Sequence, residues 1–387
     1  MHASSDALIL AIDGQALAGD RPTGLGRVAR AATIALCELP DLDVLPLMPP
    51  DPAGFRRAWE RFVWEQATLP CKVKDQGAAV LYSPAFGCPR MSAVPRIHMV
   101  HDLIPKTQGW ETGRASWYWA NYLPESASWA QAVITNSQAT RLELLRQVPV
   151  DPACVFVNPL GIPWDMDSPL DSHAADSWDA RCPFERYLLF VGSLVPRKAP
   201  ELLLAAIARL KAQGLVIPIV LVGEGEAYRW QLQAQTGRDG IADQCFWAGF
   251  VGEDATLRAM YSRADLLVSP SLAEGFNLPL IEAASCGTPV IASDLPVHRE
   301  VLGSAGLYTP TGDVAALAAQ IAQLWQSTDA REEYARRGLM RARRYSWHAH
   351  ALGIATLAHQ LADHAPLPSP EDFAAIRDQA LAASTIA

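Results

Sequence analysis

The sequence predicts an α/β protein built from two doubly wound domains, each a parallel sheet covered by helices on both faces. Short apolar runs alternate with helix-length segments along most of the chain, which is the pattern of βαβ units. The alternation starts afresh after Asp165. The chain is 387 residues long and 50% hydrophobic, beyond the ~250–300 residues at which a single core usually stops growing.

The first series of strand-like runs lies at 7–12, 44–47, 78–82, 96–100, 132–136 and 155–157, and the second at 187–191, 217–222, 245–247, 266–269 and 289–292. Continuous rather than alternating apolar character in such short runs fits strands buried on both faces. Between the two series, 161–183 is rich in Pro, Asp and Ser, has no usable periodicity and reads as an interdomain connection. The expected boundaries are therefore a first domain at 1–163, a linker at 164–184 and a second domain at 185–345. A helix at 346–365, opened by Ser346 as N-cap, is expected to cross back to the first domain, followed by a loosely held Pro-rich tail at 366–387.

The net charge of −9 argues against nucleic acid as a partner, since that requires a basic face. Seven cysteines, at 37, 71, 88, 154, 182, 245 and 286, show no CxxC or Cys/His ligand spacing and read as reduced thiols of a cytoplasmic protein. The start of the chain lacks the basic stretch and cleavage site of a signal peptide, and no apolar run reaches the ~18–20 residues of a membrane span.

The densest chemical signal runs from Pro270 to Ala292, PSLAEGFNLPLIEAASCGTPVIA: a strand end, a Gly-containing turn, a helix beginning near Asn277 and another strand. Ligands of open α/β sheets sit at the carboxyl ends of strands, and helix N-termini offer amides to anions. Gly275 and the backbone of Phe276, Asn277 and Leu278 are thus candidate phosphate and sugar contacts. Glu274 in the turn and Glu282 inside the helix are expected to face one elongated ligand at two depths, a carboxylate being the usual clamp for a ribose or sugar diol. The competing reading is that both acids only complement the helix dipole.

A second signal, LLFVGSLVPRKAP (188–200), is a buried strand entering a turn at Gly192, with Arg197 and Lys198 ahead of a helix. Two cations there suit a diphosphate leaving group, on which negative charge develops; the plainer reading is solvated loop charge. A third, RPTGLGRVA (21–29), places Gly24 and Gly26 at a helix start and nominally matches the dinucleotide fingerprint. About eleven residues separate it from the first strand and no acid closes the second, so a loop reaching toward an interdomain cleft fits better. Fourth, HDLIP (101–105) puts His101 and Asp102 at a strand's carboxyl end, where His101 is either a site residue or a satisfied structural histidine. Asp165 and Asp167 form a DxD pair with no third metal ligand in view.

Together with WEQATLP (64–70), TNSQATRLELL (135–145), VNPLGI (157–162), LVGEGE (221–226) and the Glu-x7-Glu spacing of Glu274 and Glu282, these motifs resemble the retaining glycosyltransferases of family 4 over nearly the whole chain to about residue 360. The resemblance implies a GT-B fold, two facing Rossmann-like domains with the donor held mainly by the second. It implies that Glu282 binds the ribose hydroxyls, Glu274 the transferred sugar, and Arg197 and Lys198 the diphosphate. His101 would stand beside the sugar, Gly24 and Gly26 would let the first domain close on the phosphates, and the 249–251 loop with Phe250 would lie near the base. It further implies no metal and no cofactor beyond the nucleotide-sugar donor, and no protein nucleophile, because a donor phosphate oxygen takes the acceptor proton. Ala199 departs from the pattern, many members carrying glycine after the lysine.

The combination of TGLGR, WEQ and HDLIP resembles the branch that transfers mannose in bacterial polysaccharide and O-antigen synthesis, which makes GDP-mannose the expected donor and a glycan or lipid-linked saccharide the expected acceptor. Phe55, Trp59 and Phe62 share one helix face flanked by Arg56, Arg57 and Arg61, as in a helix lying on anionic lipid, so peripheral attachment through the first domain at the inner face of the cell membrane is an expectation. The alternative is that these rings pack into the core. The aromatic cluster 110–129, with Trp117, Tyr118, Trp119 and Tyr122, fits sugar stacking or burial equally. Two other functions stay open on the residues alone: a non-catalytic sugar-nucleotide-binding assembly partner and an NAD(P)-dependent oxidoreductase.

Overall fold

The computed structural model describes residues 7–19, 24–51, 55, 57–108 and 116–384. Residues 21–23 of the Gly-rich loop, Arg56 and Trp110 lie outside the described residues. Contacts divide the chain into one unit of residues 1–161 with 345–387 and a second of residues 162–344.

The first unit holds a parallel six-stranded sheet of β1 (Leu8–Asp13), β2 (Leu42–Leu47), β3 (Val80–Ser83), β4 (Arg96–Val100), β5 (Ala132–Thr135) and β6 (Val155–Val157), ordered β2-β1-β3-β4-β5-β6. Leu10, Ala11, Ile12, Val80, Leu81, Ile97 and Ile134 are fully buried, as strands covered on both faces must be. Helix Gly24–Cys37 turns Val28, Ala29, Ala32 and Leu36 into the core. Helix Trp347–Ala362 packs on it and on the sheet, with the Ser346 hydroxyl accepting from the Ala349 amide.

The tail expected to be loose is instead a helix, Pro370–Ser384. Phe373 anchors it: the ring is fully buried, 5.0 Å from Phe156, against Gly353, where a Cβ would meet it at 3.0 Å. A single aromatic in an otherwise small and polar stretch is a weak periodic signal, which is why the sequence reads there as coil.

Two widened helical turns, Trp64–Thr68 and Tyr118–Tyr122, each run into Leu-Pro. Pro70 and Pro124 have no N–H for the usual bond four residues back, and the Leu69 and Leu123 amides reach five back, to the carbonyls of Trp64 and Tyr118. The widening turns Glu65, Tyr118 and Tyr122 inward. The buried Glu65 carboxylate accepts from the Tyr118 hydroxyl (2.7 Å), the Tyr122 hydroxyl (2.9 Å), the Gly87 amide (3.0 Å) and Gln15 Nε2 (3.1 Å). Gln15 Nε2 also donates to Asp13 at 2.8 Å, and Trp64 Nε1 to Asp13 at 2.9 Å, so two buried acids at the end of β1 share one donor.

Of the proposed lipid-facing rings, Phe55 packs on the buried Trp64 while Trp59 is 59% and Phe62 38% exposed. Core packing thus accounts for Phe55 and leaves Trp59 and Phe62 on the surface. Tyr118 and Tyr122 are buried, and Trp117, 57% exposed, stacks on Tyr122. No helix among the described residues is long and apolar enough to cross a membrane.

The second unit contains β7 (Leu188–Val191), β8 (Ile219–Val222), β9 (Cys245–Gly249), β10 (Leu266–Ser269), β11 (Val290–Ser293) and β12 (Gly306–Thr309), all parallel and ordered β12-β11-β10-β7-β8-β9. The expected linker contributes a helix to this unit, Ser172–Arg181, capped by the Asp171 carboxylate and anchored by Trp178, whose Nε1 donates to the Tyr187 hydroxyl at 2.9 Å. With little else apolar in its ten residues, it shows no helical stripe. Asp167 of the DxD pair accepts two bonds from Arg343, at 2.6 and 2.9 Å, which accounts for it structurally.

Burial raises Asp13 from 3.8 to about 6, and burial followed by the Asp13 charge raises Glu65 from 4.5 to about 7. The folded protein therefore holds protons that the unfolded chain releases. Their contribution is complete below about pH 4 and is lost as pH rises through 6 to 7. Urea midpoints of the first unit should fall between pH 5 and 7.5, and Glu65→Gln should flatten that slope while lowering the midpoint throughout. A slope unchanged by the substitution would remove these acids from the account.

Candidate functional site

The strand order of the second unit reverses between β7 and β10, the switch point of a doubly wound sheet, where the loops leaving two adjacent strands part to opposite faces and open a crevice. Here those loops carry FVGSLVPRK and PSLAEGFN. They are tied by the Leu272 amide, which donates to the Arg197 carbonyl at 2.7 Å.

After β7 the chain passes Gly192, makes a tight turn at Pro196–Lys198 and reaches Ala199 in the left-handed region, φ 49° and ψ 43°. This conformation favours glycine and costs alanine about 1 kcal/mol, which is a backbone reason for glycine to be expected at this position. Ala199 is fully buried, which holds the conformation, and helix Pro200–Ala212 starts from it. The LVGEGE loop presses on this turn from the β8 side. A Cβ on Gly223 would lie 1.8 Å from the Gly192 carbonyl oxygen, and one on Gly225 2.0 Å from that of Leu194.

Lys198 Nζ donates to Glu274 Oε1 at 2.5 Å and Arg197 Nη1 to Oε2 at 3.1 Å. The Glu274 side chain is 5% exposed, those of Lys198 and Arg197 12% and 30%. Burial alone would raise the Glu274 carboxyl; Lys198 and then Arg197 outweigh it and hold it at about 2. The structure thus brings Glu274, Arg197 and Lys198 into one cluster with two cations and one anion, a net positive site at the carboxyl ends of β7 and β10. Gly275, Phe276 and Asn277 follow, buried, and helix Leu278–Ser285 begins.

Glu282 does not join this cluster. It is fully buried in the helix, where Oε2 accepts from the Tyr261 hydroxyl at 2.7 Å. Tyr261 lies against Trp164, whose Nε1 donates to Ser285, and Ser285 in turn donates to the Glu282 carbonyl. Phe250, 38% exposed, stands just past β9.

In the first unit, His101 Nε2 lies 2.7 Å from the Pro84 carbonyl, so this nitrogen carries the proton. Burial lowers the pKa, with the Pro84 carbonyl and Asp102 opposing, and the ring is neutral at pH 7. The Asp102 carboxylate accepts from the Ile104 amide at 3.0 Å, a local turn bond. Gly24, exposed, and Gly26, buried, open helix Gly24–Cys37. Sequence reasoning missed the polar groups beneath these sites: Asp13, Gln15 and Glu65 in the first unit, and Ser269, Ser293, His298 and Tyr261 in the second. Asp13 left a legible trace, as a lone acid closing an apolar run; the others are single polar residues with no spacing to mark them.

In open α/β sheets the switch point, where these charges lie, is the usual place for a ligand, and the chain carries two such sheets. Two family models match, Glycosyltransferase Family 4 over residues 26–165 and Glycosyl transferases group 1 over 185–327, and the chain belongs to the glycosyltransferase family whose two halves they describe. Among similar proteins, O-antigen chain mannosyltransferase B of Escherichia coli is 36% identical over 174 residues, 42% of this chain and 43% of that one. D-inositol 3-phosphate glycosyltransferase 2 of Catenulispora acidiphila is 32% identical over 265 residues, 66% of this chain and 60% of that one. The chain thus spans about half the length of the curated relatives it matches. Sucrose-phosphate synthase of Thermosynechococcus elongatus superposes with a TM-score of 0.74 at 21% identity, over 93% of this chain and 100% of that one, as expected for a GT-B fold.

Glu274→Gln would leave two largely buried cations facing each other without an anion. It should cost the second unit about 2 kcal/mol, read from urea denaturation. Inorganic pyrophosphate at millimolar concentration should return part of that loss to the variant and stabilise the wild type less.

Proposed function

We propose that this protein is a retaining hexosyltransferase that moves mannose from GDP-mannose to a glycan or lipid-linked saccharide during synthesis of a bacterial surface polysaccharide, at the inner face of the cell membrane. The observation that carries the reading is the Arg197–Glu274–Lys198 cluster at the switch point. As the glycosidic bond to the diphosphate lengthens, negative charge collects on the leaving oxygens. Fixed cations in a half-buried site stabilise that charge far more than water does. Arg197 offers a planar fork for two phosphate oxygens and Lys198 a point charge, the role that a divalent metal fills in other transferases.

Glu274 sits between the two cations, and a diphosphate competing for them frees its carboxylate for the hydroxyls of the sugar. In this reading the acceptor hydroxyl attacks from the face the diphosphate leaves. Its proton passes to a phosphate oxygen, so neither Glu274 nor Glu282 acts as nucleophile. Glu282, whose carboxylate accepts from the Tyr261 hydroxyl, is the group that receives the ribose diol. In the first unit His101 donates through Nε2 to the Pro84 carbonyl, which leaves Nδ1 as the accepting nitrogen of the ring. Mannose is favoured by the TGLGR, WEQ and HDLIP motifs and by the activity named for the Escherichia coli relative. Trp59, Phe62 and Trp117, exposed beside Arg57, supply the rings and charge for contact with anionic lipid.

Calorimetric titration with GDP, UDP, ADP and dTDP should show GDP binding best, weakened about tenfold by Glu282→Gln. In a transfer assay on lipid-linked oligosaccharide with GDP-mannose, Glu274→Ala should lower the rate by about 10²–10³-fold with GDP affinity changed far less. Binding of no nucleotide, or binding indifferent to Glu282, would remove the donor-site reading; tightest binding of UDP would replace the donor alone.

A further inference from the structure

Behind the Glu274 loop lies a buried polar network that the donor-site reading does not use. Asn277 is the last residue before helix Leu278–Ser285 and has a left-handed backbone, φ 74° and ψ 67°, the residue being 7% exposed. Its Nδ2 lies 2.8 Å from Ser269 Oγ and 2.9 Å from His298 Nε2. His298, fully buried on the neighbouring helix Pro296–Leu302, has Nδ1 2.8 Å from the Ser293 carbonyl.

These contacts allow one assignment of protons. A carbonyl only accepts, so His298 Nδ1 carries the hydrogen. A neutral imidazole then has only a lone pair at Nε2, which must face a donor, and the amide nitrogen of Asn277 is that donor. Both Nδ2 hydrogens are consumed, one by His298 and one by Ser269. Asn277 Oδ1 is left buried with no hydrogen-bond partner among the described residues. An orphaned buried acceptor is costly unless something donates to it. A carbonyl oxygen repels phosphate and accepts from a hydroxyl, so its natural partner in a sugar-nucleotide site is a hydroxyl of the transferred sugar.

We propose that His298 is a positioning residue that fixes the amide of Asn277 with its oxygen turned to the ligand, so that Asn277 accepts a hydrogen bond from a hydroxyl of the donor sugar. This rests on the donor-site reading above and adds a specificity determinant to it. Replacing His298 by a group that does not accept at the Nε2 position frees the amide to rotate, which presents N–H where oxygen is needed.

Two substitutions separate this role from simple packing. His298→Gln keeps an acceptor near the Nε2 position and gives up the bond to Ser293. His298→Asn keeps the bond to Ser293 and gives up the acceptor. Full-length wild type and both variants are titrated with GDP and GDP-mannose or, if another nucleoside diphosphate binds the wild type better, with that nucleotide and its hexose conjugate. The asparagine variant should lose about tenfold in affinity for the nucleotide sugar and less than twofold for the nucleotide. The glutamine variant should stay within threefold for both. Equal effects of the two substitutions, or equal weakening of both ligands, would overturn the assignment. A wild type that binds no nucleotide would instead take away the donor site on which it rests. Should His298→Asn not fold, the same pair of ligands is compared on Asn277→Gly, since glycine adopts the left-handed backbone freely. Loss confined to the nucleotide sugar supports the proposal, and an unchanged preference between the two ligands overturns it.

Discussion

A carboxylate 5% exposed, held between a lysine and an arginine, is the interaction on which the second unit is organised. Burying Glu274 without partners would cost several kcal/mol, and burying either cation without an anion would cost as much. Each is tolerated because the others are within bonding distance, and they are so because the strand order reverses between β7 and β10. Charges at the ends of strands separated by others could not meet in this way. The close glycines of the β8 loop and the left-handed Ala199 follow from the same demand, since they let the Arg197–Lys198 turn lie low enough to reach Glu274.

The first unit solves a similar problem with the opposite balance. Glu65 and Asp13 have no cation bonded to them and are satisfied by neutral donors, two tyrosine hydroxyls, an indole, an amide side chain and backbone. Those donors come from four stretches far apart in sequence, at residues 15, 64, 87 and 118–122, so the two acids tie the ends of β1 and β3 to both widened turns. The polar chemistry of the second unit is charged and partly open, and that of the first is nearly closed. The exposed rings of Trp117 and Phe62 sit directly over the closed network, Tyr122 being shared by both.

Most of the architecture could be read from apolar runs. Eleven of the twelve strands lie within about two residues of where the runs place them; the twelfth, Gly306–Thr309, is an edge strand with a glycine at its start and only partly buried centre residues. Its signal is weak because an edge strand buries less and so demands less of its side chains. The helices Ser172–Arg181 and Pro370–Ser384 escaped notice because each is held chiefly by one large ring, Trp178 or Phe373, and periodicity needs several. At the site, Glu274, Arg197 and Lys198 were legible as charges at strand ends, but their mutual pairing was not, since it depends on which strands are neighbours. Glu282, read as facing the same ligand as Glu274 at another depth, lies inside its helix under Tyr261, a partner that no spacing in the sequence marks. His298 had no chance of being read, because its meaning lies in a tautomer fixed by a backbone carbonyl of another element.

The second unit is an uninterrupted stretch, 162–344, set within a first unit made of two pieces. A Cβ on Gly161 would fall 2.2 Å from the Trp347 amide nitrogen, so the outgoing and returning strands of chain touch where the pieces rejoin. During synthesis the first unit therefore has its sheet in hand from residue 157 onward but lacks the helices at Trp347–Ala362 and Pro370–Ser384 that cover it. At about 5–20 residues per second, the helices that cover it emerge some ten to forty seconds later, after the inserted unit has been made. The order of emergence and the order of completion are reversed: the half that is translated earliest is the last to gain the helices that cover its sheet.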